Sequence, residues 1–265
     1  MNSTRIYALF LRQMYLIRDN PTRFVQIFGW SFFDILLWGF LSSYLTALGG
    51  GTQFTPLFLG AIVVWNFAIR VMHGSATAFF EDVWARNFLN IFASPVTIEE
   101  YLTSLVATAI VTAVLGIAVM MVLVYFVFGV SVFMYGWLLW FFLLILFISG
   151  TALGILSIAI VLRFGPSAEW FVWPIPEFVA PFIGVLYPVS VLPSWVQQFS
   201  RLLPPTYVFE GARATVLGYG YDIRLLIFGF GLSIVYLVLS YLFFKRVYAR
   251  AVRGGLIARY SAESV

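Results

Sequence analysis

From Tyr101 to Leu162 the chain runs for 62 residues without a lysine, arginine, aspartate, glutamate or histidine. A bilayer core of about 30 Å needs only about 20 helical residues to cross it. The run therefore holds two spans and a turn. Leu225–Phe244 is another uncharged stretch, of 20 residues. Lipid offers no partner to backbone N–H and C=O groups, so only helices and closed barrels span it. Barrel strands alternate polar and apolar residues over about ten positions, whereas these runs are solidly apolar. Charged residues make up 10% of the chain, against roughly a quarter in a soluble domain. The sequence thus predicts an all-α integral membrane protein.

Six transmembrane helices are expected within one transmembrane domain, 1–265. Residues 1–23 place Arg5, Arg12 and Asp19 seven apart on one helical face, and Ile6, Phe10, Met14 and Ile17 on another. That pattern predicts an amphipathic helix on the membrane surface, broken at Asn20-Pro21. The first span is expected over 24–47, closed by Gly49-Gly50-Gly51, and the second from Pro56 to Phe80. A polar segment, 81–100, follows. Spans three and four fill 101–128 and 136–162, turning at Gly129 and ending at Arg163-Phe164-Gly165-Pro166. The fifth, 169–189, is expected to be irregular because it carries Pro174, Pro176, Pro181 and Pro188. Residues 190–223 are too broken to span and too apolar for a free loop. The sixth span is 225–244, and a basic tail, 245–265, follows.

Six spans put both termini on one face. If that face is cytoplasmic, it holds eleven of the fifteen Lys and Arg residues. The other face holds Arg201, Arg213 and Arg224, and Arg70 lies within the second span. The excess of basic residues on cytoplasmic loops predicts cytoplasmic termini.

Catalytic motifs are missing. The only lysine, Lys245, follows two phenylalanines, so no G-x-x-x-x-G-K-[ST] phosphate loop exists. With His73 the single histidine and no cysteine, neither a His-based nor a thiolate metal site is expected, and no nucleophile motif is present. The basic residues sit mostly at the chain ends, which gives no indication of nucleic-acid binding.

Three features could still carry function. In 81–100, Trp84, Phe88, Ile91 and Phe92 fall at helical spacing ahead of Ser94-Pro95. This short amphipathic helix is either a docking surface for another protein or a helix that packs under its own spans. In 190–223, Pro188, Pro193, Pro204 and Pro205 cut the chain into short pieces around Trp195, Val196 and Phe199. The expected arrangement is a helical hairpin dipping back into the outer leaflet, with Glu210 and Arg213 able to pair three residues apart. It serves either as a gate or as a seal. Asp34 and Arg70 are the polar candidates inside the spans. Asp34 lies about 15 Å from the inner surface and Arg70 about 21 Å from the outer one at 1.5 Å per residue. They either meet, or Arg70 and His73 reach the inner interface by themselves. Trp137, Trp140, Trp170, Trp173 and Trp195 lie near span ends, as an interfacial belt would. Gly150 and Gly154 form a small-xxx-small pair suited to close helix packing.

This order of parts resembles the membrane subunit of type-2 ABC exporters. The likeness is carried by Ser94-Pro95-Val96 and by the stretch from Tyr187-Pro188 through Leu192-Pro193-Ser194-Trp195 to Leu203-Pro204-Pro205-Thr206 and Glu210-Gly211-Ala212-Arg213. The resemblance implies a permease in which two copies form one pore and each binds a cytosolic ATPase through residues 84–92. ATP and Mg²⁺ would sit on that partner, and this chain would bind no cofactor and have no ATPase site. The outer hairpin, with Trp195, Phe199, Pro204, Pro205, Glu210 and Arg213, would act as the gate. An amphipathic lipid or drug-like cargo is expected, with polysaccharide or lipid-linked glycan the alternative. A different class, an ion-coupled secondary transporter, needs several acidic groups at midplane, and the sequence offers only Asp34.

Overall fold

A computed structural model of the chain describes residues 1–50, 54–85 and 87–254. Gly51, Arg86, Arg259 and the tail beyond Gly254, with the side chains of Arg23 and Phe88, lie outside the described residues. The uncharged 62-residue run forms two antiparallel helices, α5 (Ile98–Phe128) and α6 (Leu138–Phe164). They part at Gly129, whose φ of +67° caps α5 in the left-handed conformation that glycine adopts without a steric penalty. Around them stand α2 (Pro21–Leu45), α3 (Phe54–Trp84) and α11 (Ile223–Arg253). These five helices are long and apolar enough to cross a bilayer, the first of them over Phe32–Gly49, from within α2 into the turn that follows it. No strand occurs among the described residues.

Segment 169–189, expected as the fifth span, is two short helices, α7 (Glu169–Val172) and α8 (Ile175–Ile183). Pro174 separates them because it has no N–H to continue the ladder. Its start and its end join different apolar clusters. Ala168 and Val172 belong to the apolar cluster built on Phe79, Phe80, Tyr101 and Phe244. Ile183 and Val185 belong to the cluster built on Val64, Phe142 and Phe209.

The first cluster marks the end of the bundle where α1 (Ser3–Asp19) and the last turns of α11 meet, since Leu9 and Ala251 both join it. There α1 packs on α5, Asn2 caps it, and Asn20 ends it as the sequence predicts. The short α4 (Phe88–Ala93) lies between α3 and α5. At the opposite end, α9 (Ser194–Ser200) and α10 (Pro204–Val216) form the broken segment before α11. Pro204 and Pro205 open α10, where a missing N–H costs nothing.

Gly150 and Gly154 bring α6 onto α3. A β-carbon on Gly150 would stand 2.7 Å from the Ala68 carbonyl oxygen, and one on Gly154 2.2 Å from the Ser75 hydroxyl. Trp137, Trp140, Trp170 and Trp195 are exposed, as a belt requires, while Trp173 is half-buried.

Candidate functional site

At the α1 end of the bundle, the segment between α3 and α5 is tied to three other elements. α3 continues one turn past Phe80, and this carries Asp82 beneath α1, where it is fully buried. Its carboxylate accepts from the Arg12 guanidinium and from the Tyr101 hydroxyl at 2.7 Å. Burial works against the Arg12 charge, but the hydrogen bond and attraction of Asp82 outweigh it and raise the arginine pKa. Seven residues earlier, Arg5 donates to the Pro95 carbonyl and stands 3.7 Å from Glu100. Glu100 also accepts from the Asn2 N–H at 2.6 Å and closes a capping box with Thr97. The two arginines on one face of α1 thus grip both sides of α4.

The second tie is to α11. Phe92 packs on Tyr248 with ring centroids 6.0 Å apart, and Lys245 lies 3.7 Å from Glu99. The third is to α7, where Glu169 accepts from the Trp84 indole and the Trp173 indole, each at 3.0 Å. Of the four predicted docking residues, Trp84 is exposed, Ile91 is buried and Phe92 is half-buried; the Phe88 side chain is outside the described residues. Asn90 and Ala93 form the exposed side of α4.

At the other end, Glu210 and Arg213 pair at 2.8 Å. Glu210 also accepts from the Val189 N–H at 3.0 Å, and Arg213 donates to the Gly184 carbonyl at 2.8 Å. The pair therefore fastens α10 to the end of α8. Phe199 of α9 meets Phe182 edge-on at 5.3 Å, Trp195 is exposed, and Pro204 and Pro205 are buried.

The order of these parts, from α1 through α10, coincides with a family match. The model of the ABC-2 type transporter family covers residues 4–217. The chain belongs to that family. No curated protein matches the sequence. This ABC-2 chain is a multi-pass membrane permease of an ABC transporter, and its membership implies an ABC ATPase as partner.

Within the spans of the ABC-2 permease, Asp34 and Arg70 are not brought together. Asp34 accepts from the Asn66 amide at 2.8 Å. Arg70 lies across α5, where a β-carbon on Gly116 would stand 2.7 Å from its side chain. No ion pair joins Asp34 to Arg70 among the described residues. Sequence reasoning missed Asp82, Glu169, Asn66 and Glu177. The seven-residue spacing of Arg5 and Arg12 was the available signal for an acidic partner under α1.

Proposed function

We propose that this chain is the pathway-forming subunit of an exporter for an amphipathic lipid or drug-like substrate, driven by a separate cytosolic ATPase. In this reading 169–189 completes a sixth crossing as the fifth span, and 190–223 is an outer re-entrant hairpin. Both termini are cytoplasmic, in the plasma (inner) membrane of the cell, and a homodimer of two copies, embedded among membrane lipids, forms the pore. ATP and Mg²⁺ bind to the ATPase, which docks on residues 84–92 within the segment 81–100.

The observation that carries this reading is the three-way anchoring of that segment. It is held to α1 through Asp82 and Pro95, to α11 through Phe92, and to α7 through Trp84. A push on α4 is delivered to three elements rather than lost in a loose loop. The α7 tie leads through α8 to the Glu210–Arg213 fastening of the outer segment. Ile91 and Phe92 seat the segment on the bundle, and Trp84, Asn90 and Ala93 remain for the partner.

The expected result is that tagged chain purified from its native membranes retains a P-loop ATPase and ATP hydrolysis. Trp84→Glu places a second carboxylate beside Glu169 and should lower that hydrolysis at least fivefold while the permease melts normally. Purification without any ATPase, or substrate export that survives Trp84→Glu intact, would sink the reading.

A further inference from the structure

Between α2, α3 and α8 lies a cavity of about 230 Å³, lined among others by Asp34, Trp38, Trp65, Asn66, Glu177 and Tyr187. Two carboxylates on separate helices face it, yet neither makes an ion pair with a described residue. Asn66 is buried and its amide nitrogen is committed twice, to Asp34 at 2.8 Å and to the Ile62 carbonyl at 3.1 Å. It orients Asp34 without supplying a countercharge. Three aromatic side chains complete the wall. Two are held by rings behind them: Trp38 stands 5.7 Å from Phe58, and Trp65 stands edge-on 5.9 Å from Phe209 of α10.

The chemistry selects one kind of occupant. Ionisable groups within spans are costly and are found paired or facing water. An anion would meet two like charges. A neutral group would leave both carboxylates without a countercharge. A cation satisfies them and gains the attraction of the aromatic faces. Size narrows the choice further, since pockets for whole drug-sized ligands run to about 300–1,000 Å³. A cavity of about 230 Å³ takes a headgroup and leaves the apolar remainder outside. Phe178, next in sequence to Glu177, and Leu37, next to Trp38, are exposed on the same helices.

We propose that this cavity binds the cationic headgroup of an amphiphile. As the substrate site of an exporter it rests on the function proposed above; as a binding site it stands alone. Trp65 would pass occupancy to the outer segment through Phe209.

The test uses the full chain in nanodiscs and tritiated dodecyltrimethylammonium, read by scintillation proximity against empty nanodiscs. Its neutral isostere, with carbon in place of nitrogen, is the competitor. Saturable binding is expected, with the isostere competing at least tenfold more weakly. The Asp34→Asn/Glu177→Gln double variant should lose at least tenfold in affinity for the cation while retaining any co-purifying ATPase. Equal affinity for cation and isostere, or an unchanged double variant, overturns the proposal. If the double variant does not fold, the comparison of the two probes on the natural chain decides. A chain that binds the cation but retains no ATPase defeats the exporter reading and leaves the cavity. A chain that retains the ATPase without preferring the cation defeats the cavity alone.

Discussion

Replacing Gly150 with leucine is expected to remove most of the folded protein from the membrane. Between helices in lipid, close packing of small residues replaces the hydrophobic effect as the main attraction. Gly150 sits where α6 meets the backbone of α3, and its missing β-carbon would stand 2.7 Å from the Ala68 carbonyl oxygen and 3.0 Å from Val71. A carbonyl inside a helix cannot rotate away as a side chain can. Overpacking a tight core costs about 1–3 kcal/mol and more when the backbone must move, so Gly150→Ala should lower the melting temperature by several degrees. Leucine should prevent the α3–α6 contact. Gly154→Ala should cost less, because the nearest atom is the Ser75 hydroxyl. Gly231→Leu is the control: it lies on α11 with nothing within 4 Å of the added carbon. Size-exclusion profiles and thermal melts of the four variants give the order. A Gly150→Leu protein that elutes and melts like the natural chain would refute the packing account.

Asp82→Ala carries the second large effect. The substitution removes the acceptor of a buried tyrosine hydroxyl and the countercharge of Arg12 together. Breaking a fully buried ion pair costs about 3–5 kcal/mol. Arg12 keeps 32% of its side chain exposed and can turn to water, so about 2–3 kcal/mol is the fitting range here. Asp82→Asn keeps an acceptor for Tyr101 and should lose about half as much. The loss should be local, freeing α1 and with it one wall of the α4 seat. Trypsin reads this directly, since α1 holds Arg5, Arg12 and Arg18. Faster cleavage within α1 is expected for Asp82→Ala, while cleavage at α11 stays unchanged. Uniform resistance would mean that the pair does not hold α1.

Much of this architecture was legible because lipid constrains sequence strongly. The uncharged run placed α5, α6 and the turn at Gly129, and prolines foretold the broken fifth segment and the division of 190–223 into short pieces. The Glu210–Arg213 pair was readable because its partners are three residues apart on one helix. Pairs distant in sequence were not. Asp82 looked like part of a solvated polar segment, since nothing local reveals that Arg12, 70 residues away, covers it. The apolar spacing of Ile91 and Phe92 is the same whether they face a partner or their own bundle, and the structure turns both toward the bundle. Charge alone left open whether Asp34 meets Arg70; its neighbour is the neutral Asn66. Glu177 was overlooked because it lies among prolines in the least regular span.

The absence of cysteine makes the central claim directly measurable. Single cysteines at Asn90 or Ala93 lie on the exposed side of α4, and single cysteines at Trp195 or Tyr219 lie exposed at the opposite end of the bundle. Each is treated in native membranes with a short bifunctional maleimide crosslinker, and the adducts are identified by mass spectrometry. A P-loop ATPase is predicted in the adducts of Asn90→Cys and Ala93→Cys and in neither of the others. ATPase adducts at Trp195→Cys or Tyr219→Cys, or none at any of the four, would contradict an exporter driven through the segment 81–100.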